Sequence, residues 1–170
     1  MELYLLRHGD ALSHARDDAS RPLSPLGEHQ AAVAGRTMSR LGLRPQLVLS
    51  SPLARARQTA SIVMEALGID GLQVTEYLAP TTDPRQLLEE LNGRARPSVL
   101  CVGHLPSLQI AASLIVSGTR DAALRVTTGT LMGLEAPPQI VYGSGMLKWL
   151  VSYEQMKAML RDAPPEGERH

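Results

Sequence analysis

Three short stretches of the chain carry residue types suited to phosphoryl chemistry: Arg7-His8-Gly9, Ser51-Pro52 followed by Arg55, and Gly103-His104. Arginine presents a planar fork of donors that matches phosphate oxygens and stays charged at any working pH. Histidine forms covalent intermediates, and two neighbouring guanidinium groups disfavour its imidazolium, leaving a neutral ring free to attack. If the stretches meet, His8 is the nucleophile, and Arg7, Arg55 and a protonated His104 supply the charge that phosphoryl transfer needs. Attack through one ring nitrogen requires the other to keep its proton, most simply by donating it to a backbone carbonyl. Gly9 would let the chain turn sharply there. A water would then hydrolyse the phosphohistidine.

Whether the stretches meet depends on the elements that carry them. Leu3 to Leu6 is apolar on both alternating faces, as in a strand covered on both sides of a parallel sheet. Asp10 to Pro25 is polar and reads as a loop. Glu28 to Leu41 has Ala31, Ala34, Met38 and Leu41 at helical spacing, and Gly42 ends it. Leu47 to Ser50 is a second buried strand. Ser51-Pro52 reads as the start of the next helix, serine as N-cap and proline first, with Arg55 in its opening turn, where free N–H groups and the dipole favour an anion. A brief strand over Leu72 to Glu76, a helix from about Pro84 to Leu91, a buried strand over Val99 to Val102 and a helix opened by Pro106 follow. Thr130 to Leu134 and Met146 to Val151 read as further strands, antiparallel at an edge, and Tyr153 to Leu160 as a terminal helix. Alternating strands and helices imply an α/β fold, a three-layer α/β/α sandwich with a mostly parallel central sheet. Ligands of such sheets sit beyond the carboxyl ends of the strands, so all three junctions are expected on one edge. One domain is expected over residues 1–161, with 162–170 a disordered tail.

Composition narrows the partners. The 170 residues are 44% hydrophobic and 20% charged, with net charge zero. No global field recruits nucleic acid or anionic lipid, and any basic site must be local. Cys101 is the only cysteine, which excludes an intrachain disulfide and a cysteine-based zinc site; in its apolar run it reads as a small core residue. No membrane-spanning run and no signal-peptide pattern occur, so a cytoplasmic, reduced protein is expected.

Taken together, these residues resemble the histidine phosphatase superfamily, which includes the cofactor-dependent phosphoglycerate mutases. Arg7-His8-Gly9 is similar to its signature, Ser51-Pro-Leu-Ala-Arg-Ala-Arg-Gln-Thr59 to its second motif and Gly103-His104 to its third. The finer likeness is to SixA-type phosphohistidine phosphatases: Arg7-His-Gly-Asp-Ala11, Arg21-Pro-Leu-Ser24 with Gly27, Gly103-His-Leu-Pro106, and the late Trp149. It spans about residues 3 to 153. Tyr153 departs from it, standing where a proline is expected. The resemblance implies a phosphoglycerate mutase-like fold, His8 as nucleophile, and Arg7, Arg55 and His104 in the phosphate pocket, with Gly9, Arg21 and Ser51 against the substrate. It implies no metal and no cofactor.

The substrate follows from the leaving group. An ester expels an alkoxide, and ester-cleaving relatives protonate it with a carboxylic acid after the second motif's helix; Glu76 is the best-placed carboxylate for that role. A phosphoimidazole can carry a proton and depart as a neutral ring, so it needs an enzymic acid less. This favours a phosphohistidine-containing protein, with a histidine-phosphotransfer domain as the class the resemblance implies. A phosphomonoesterase or mutase acting on a small metabolite and a non-catalytic module binding phosphorylated proteins are the rivals. Several polar residues admit two readings: Arg21 and Ser24 as pocket walls or loop residues, Asp10 as a partner of Arg7 or a solvated charge, and Thr128 as lining or loop. Arg55 and Arg57 share one helix, either could be a solvated surface charge, and only the resemblance picks Arg55. A metal held by His8, Asp10 and His14 is disfavoured, because flanking arginines repel a divalent cation. His29 and His170 read as surface residues.

Overall fold

The computed structural model describes residues 1–94 and 96–161. The first strand, β1 (Glu2–Arg7), divides its side chains between two cores. Leu3 and Leu5 pack on one side with Leu87, Leu88, Leu108 and Ile115; Tyr4 and Leu6 pack on the other with Val33, Met38, Ala60, Val63 and Met156. A strand with no solvent face has to read as a continuous apolar run, which is what Leu3 to Leu6 is.

Its partners are β2 (Leu47–Ser50), β3 (Leu72–Val74), β4 (Ser98–Gly103), β5 (Leu131–Glu135) and β6 (Met146–Val151), in the sheet order β3-β2-β4-β1-β5-β6. The β3-β2-β4-β1 portion is parallel. Strand β5 runs antiparallel to β1, and β6 antiparallel to β5. Helices α1 (Pro25–Arg40), α2 (Ala54–Leu67) and α5 (Tyr153–Arg161) cover one face, and α3 (Pro84–Asn92) and α4 (Ser107–Ser117) the other. This is the expected three-layer sandwich. Cys101, on β4, is fully buried on the α3–α4 side.

Three local expectations need correction. Helix α1 starts earlier than its apolar spacing indicated: Ser24 accepts the Gly27 N–H and Pro25 takes the first turn, so the end of the supposed loop is a capped helix start. Helix α2 starts later, at Ala54, with Leu53 at the cap position and no side-chain cap; the Ser51 hydroxyl is engaged elsewhere. Strand β3 stops at Val74, and Glu76–Leu78 forms a 3-10 turn capped by Thr75. The expected tail lies outside the described residues. No helix among the described residues is long and apolar enough to cross a membrane.

Candidate active site

Strands β1, β2 and β4 are parallel neighbours, so their carboxyl ends share one edge. The ladder runs on past each strand: His8 N–H donates to Gly103 O and Ser51 N–H to Val102 O, both at 3.0 Å. The three junctions are thereby tied at main-chain level. They open on a cavity of about 310 Å³ lined by Arg7, His8, Arg21, Arg55, His104 and Thr128, together with Asp10, Ala11, Pro80 and Leu105.

His8 and His104 face each other with ring centroids 4.7 Å apart. His8 Nδ1 lies 2.6 Å from Gly9 O. A carbonyl only accepts, so Nδ1 carries the proton and Nε2 keeps its lone pair. Burial holds the His8 imidazolium well below the usual range, to about 4; Arg55, Arg7 and Arg21 push the same way, against the Gly9 hydrogen bond. The nucleophile is therefore neutral across ordinary pH.

In the site without a phosphoryl group, burial, then the neighbouring His8 and Arg55, push His104 down to about 3, so the ring is neutral there. The negative charge of a bound phosphoryl group favours the protonated form expected from the sequence. Ser51, expected against the substrate, is fully buried and lies behind His104, its Oγ 2.8 Å from Nε2.

Gly9 is likewise behind the site. Its N–H donates to Thr59 Oγ1 (3.1 Å), which in turn donates to Arg55 O (2.7 Å). The residue has no positive φ, so the expected sharp turn is not why glycine is needed. A Cβ there would fall 2.4 Å from Gly27 O, and one on Gly27 would fall 1.9 Å from Asp10 O. The glycines let the nucleophile's loop lie directly on the start of α1.

Arg7 donates from Nη1 to Val126 O (3.0 Å), and Arg55 from Nη1 to Asp18 O (2.8 Å). The buried Nε atoms of both arginines, and Nδ1 of His104, have no partner within the protein. Buried donors normally find acceptors; three orphans on residues lining one cavity fit an anion with several oxygens. Such an arrangement suits nucleophilic transfer of a phosphoryl group from a leaving nitrogen or oxygen to a histidine.

Comparison with known proteins agrees. A sequence model of the histidine phosphatase superfamily (branch 1) matches residues 3–79. An uncharacterized protein of Picosynechococcus is 34% identical over 141 residues, 80% of this chain and 86% of that protein. Phosphohistidine phosphatase SixA of Escherichia coli is 26% identical over 156 residues, 89% of this chain and 94% of its own length. The structure of the protein histidine phosphatase SixA complexed with tungstate superposes with a TM-score of 0.83 at 25% identity, over 90% of this chain and 97% of that one. The chain belongs to the histidine phosphatase superfamily.

Within this superfamily framework the remaining expected residues divide. Arg21 lines the cavity, with its Nε on Asp18 Oδ1 (2.8 Å), and Thr128 lines it too. Asp10 does not partner Arg7; its Oδ2 accepts from Ser24 Oγ (2.6 Å). Glu76 is exposed on the 3-10 turn and is absent from the cavity lining. His29 is exposed but not idle: its Nδ1 is 2.9 Å from the Tyr153 hydroxyl, which gives the departure at 153 a packing role between α1 and α5. Among the described residues no group of three or more His, Cys, Asp or Glu side chains could hold a metal.

Sequence reasoning missed three contributors. Asp18 sat in a loop with no periodic signal. Gln30 looked like a polar helix position, yet it is buried, accepting the Asp10 N–H (2.7 Å) and donating to Thr128 Oγ1 (3.2 Å). Thr59 lay inside the second motif, and its four-residue spacing from Arg55 was the available signal.

Proposed function

We propose that the chain is a phosphohistidine phosphatase that removes phosphate from a phosphohistidine protein through a covalent intermediate on His8. The observation that carries this reading is the His8 Nδ1 contact to Gly9 O, which leaves an uncharged Nε2 beside orphaned donors on Arg7, Arg55 and His104. In the first step the Nε2 lone pair attacks phosphorus in line, and the bond to the substrate's imidazole nitrogen breaks. A substrate ring protonated at its other nitrogen leaves neutral. In the second step a water oxygen attacks phosphorus, its proton passes to the departing phosphate, and His8 recovers its lone pair. Arg7 and Arg55 stabilise the equatorial oxygens in both steps, with His104 donating an N–H.

The choice of substrate rests on the carboxylates. Asp10 is taken up by Ser24, Asp18 is held as a carboxylate by Arg21 and Arg55, and Glu76 is exposed outside the lining, so these carboxylates offer a poor acid for an alkoxide. A wider groove of about 610 Å³, lined by Arg125, Thr127, Ser152, Glu154 and Gln155, shares Thr128 with the cavity; it gives room for residues flanking a phosphohistidine. The similarity to a phosphohistidine phosphatase, SixA, points the same way. A phosphomonoesterase or mutase, and a pure phosphoprotein-binding module, predict other outcomes in one experiment. Dephosphorylation of a phosphohistidine protein is compared with that of several alkyl phosphates, for wild type and His8→Ala. Preference for the phosphohistidine protein and loss of at least about a thousandfold in the variant are expected. Preference for the alkyl phosphates would replace the substrate assignment, and an active His8→Ala would remove the mechanism.

A further inference from the structure

One carboxylate beside the cavity has no part in the steps above, yet touches two of its arginines. Asp18 lies between β1 and α1, with a side chain 62% exposed. Its Oδ2 accepts from Arg55 Nη2 (3.1 Å), and its backbone carbonyl from Arg55 Nη1 (2.8 Å). Its Oδ1 accepts from Arg21 Nε (2.8 Å) and lies 2.7 Å from Arg21 Nη2. The next residue, Ala19, accepts the Ala54 N–H at 2.9 Å, pinning the loop to the opening turn of α2.

An isolated surface ion pair contributes little. This contact differs in two respects. The Arg55 side chain is only 6% exposed, so one partner is fixed in a medium that screens poorly. The carboxylate also bridges two guanidinium groups rather than pairing with one. Arg55 spends two of its five N–H donors on Asp18, which sets the plane of the fork, while Nε remains without a partner.

The charge balance gives the contact a second consequence. Arg7, Arg21 and Arg55 all line the cavity; the carboxylate in its lining, Asp10, is hydrogen-bonded by Ser24, whereas Asp18, beside it, contacts two of the arginines directly. Inorganic phosphate, the product, presents much the same oxygens as the group being transferred. Without the Asp18 charge against them, the three guanidinium groups would hold it more tightly and slow its release.

We propose that Asp18 is a positioning residue that fixes Arg55 and Arg21 for the phosphoryl group and, through its charge, limits how tightly the site retains inorganic phosphate. The inference rests on reading the cavity as a phosphoryl site.

The test separates charge from position. Inorganic phosphate binding is measured by calorimetry, and kcat and KM on a phosphohistidine protein, for wild type, Asp18→Asn and Asp18→Glu. Asp18→Asn removes the charge at constant size, and phosphate should bind about three- to tenfold more tightly while kcat falls. Asp18→Glu keeps the charge but displaces the bridge, so phosphate affinity should stay within about twofold while kcat/KM drops about tenfold. Unchanged or weaker phosphate binding in Asp18→Asn overturns the inference, as does a lowered melting temperature with unaltered kinetics. The calorimetric arm uses no phosphohistidine, so a wrong substrate class leaves it intact. A wild-type protein that binds no phosphate would sink the cavity reading, and this inference with it.

Discussion

The Ser51 hydroxyl stands 2.8 Å from Nε2 of His104, and both residues are buried. Ser51 Oγ already accepts the Leu53 N–H (3.3 Å), so its own proton is free to go to Nε2. That places the His104 ring proton on Nδ1, the atom without a protein partner. A serine with no access to the cavity thereby makes the second histidine a donor. Ser51→Ala should lower kcat about tenfold. Ring nitrogen NMR provides the check: the wild-type His104 should be protonated on Nδ1, and the variant should show a mixture.

Replacement of Arg55 by lysine keeps a charge but loses the fork. A lysine ammonium cannot hold both Asp18 acceptors and still present a fixed donor to phosphate. Arg55→Lys should lower kcat/KM about a hundredfold. Steady-state kinetics decide this, and a loss under about threefold would mean that charge alone suffices.

Acid sensitivity follows from the two histidines. Their folded values, about 4 for His8 and about 3 for His104, lie below the ordinary 6.5. As pH falls below about 6.5, the unfolded chain takes up protons that the folded site refuses, so stability is full above that pH and declines through the window down to about 3. The two rings interact, so the loss is on the order of a few kcal/mol in total rather than a sum of separate terms. Melting temperature should therefore fall less steeply with pH in a His8→Asn, His104→Asn double variant. Adding phosphate to the wild type should move the ring titrations upward.

The close approach of the nucleophile's loop to α1 predicts a strong backbone effect. In Gly27→Ala the new Cβ would sit 1.9 Å from Asp10 O, against main-chain atoms that cannot turn aside as a flexible side chain would. We expect a loss of about 2–4 kcal/mol in stability, together with a fall in kcat as the His8 loop is displaced. Chemical denaturation and kinetics test the two halves.

Two serine–proline pairs illustrate how far the sequence could be read. Ser24-Pro25 starts a helix although the polar run around it reads as a loop; Ser51-Pro52 reads as a helix start and is not one. Local propensity cannot separate them, because the choice depends on what the hydroxyl meets across the fold: Gly27 N–H in one case, the His104 ring in the other. The strands were legible because burial on both faces leaves an unbroken apolar run, as in Val99 to Val102. The reactive junctions were legible because parallel strands send their carboxyl ends to one edge. Asp18 and Gln30 were not, since each acts through contacts at long range in sequence: Asp18 to Arg55, and Gln30 to Thr128. The low pKa of His104 in the site without a phosphoryl group was not legible either, because its desolvation depends on packing that no spacing encodes.

Cys101 turns the central strand into its own reporter. It is the sole sulfhydryl in the chain, sealed in β4 three residues before His104, and burial raises its pKa further from reactivity. A thiol-labelling reagent can reach it only when α3 and α4 lift from the sheet or β4 itself opens. The rate of modification therefore times the uncovering of the strand that leads into the second histidine, with no engineered probe.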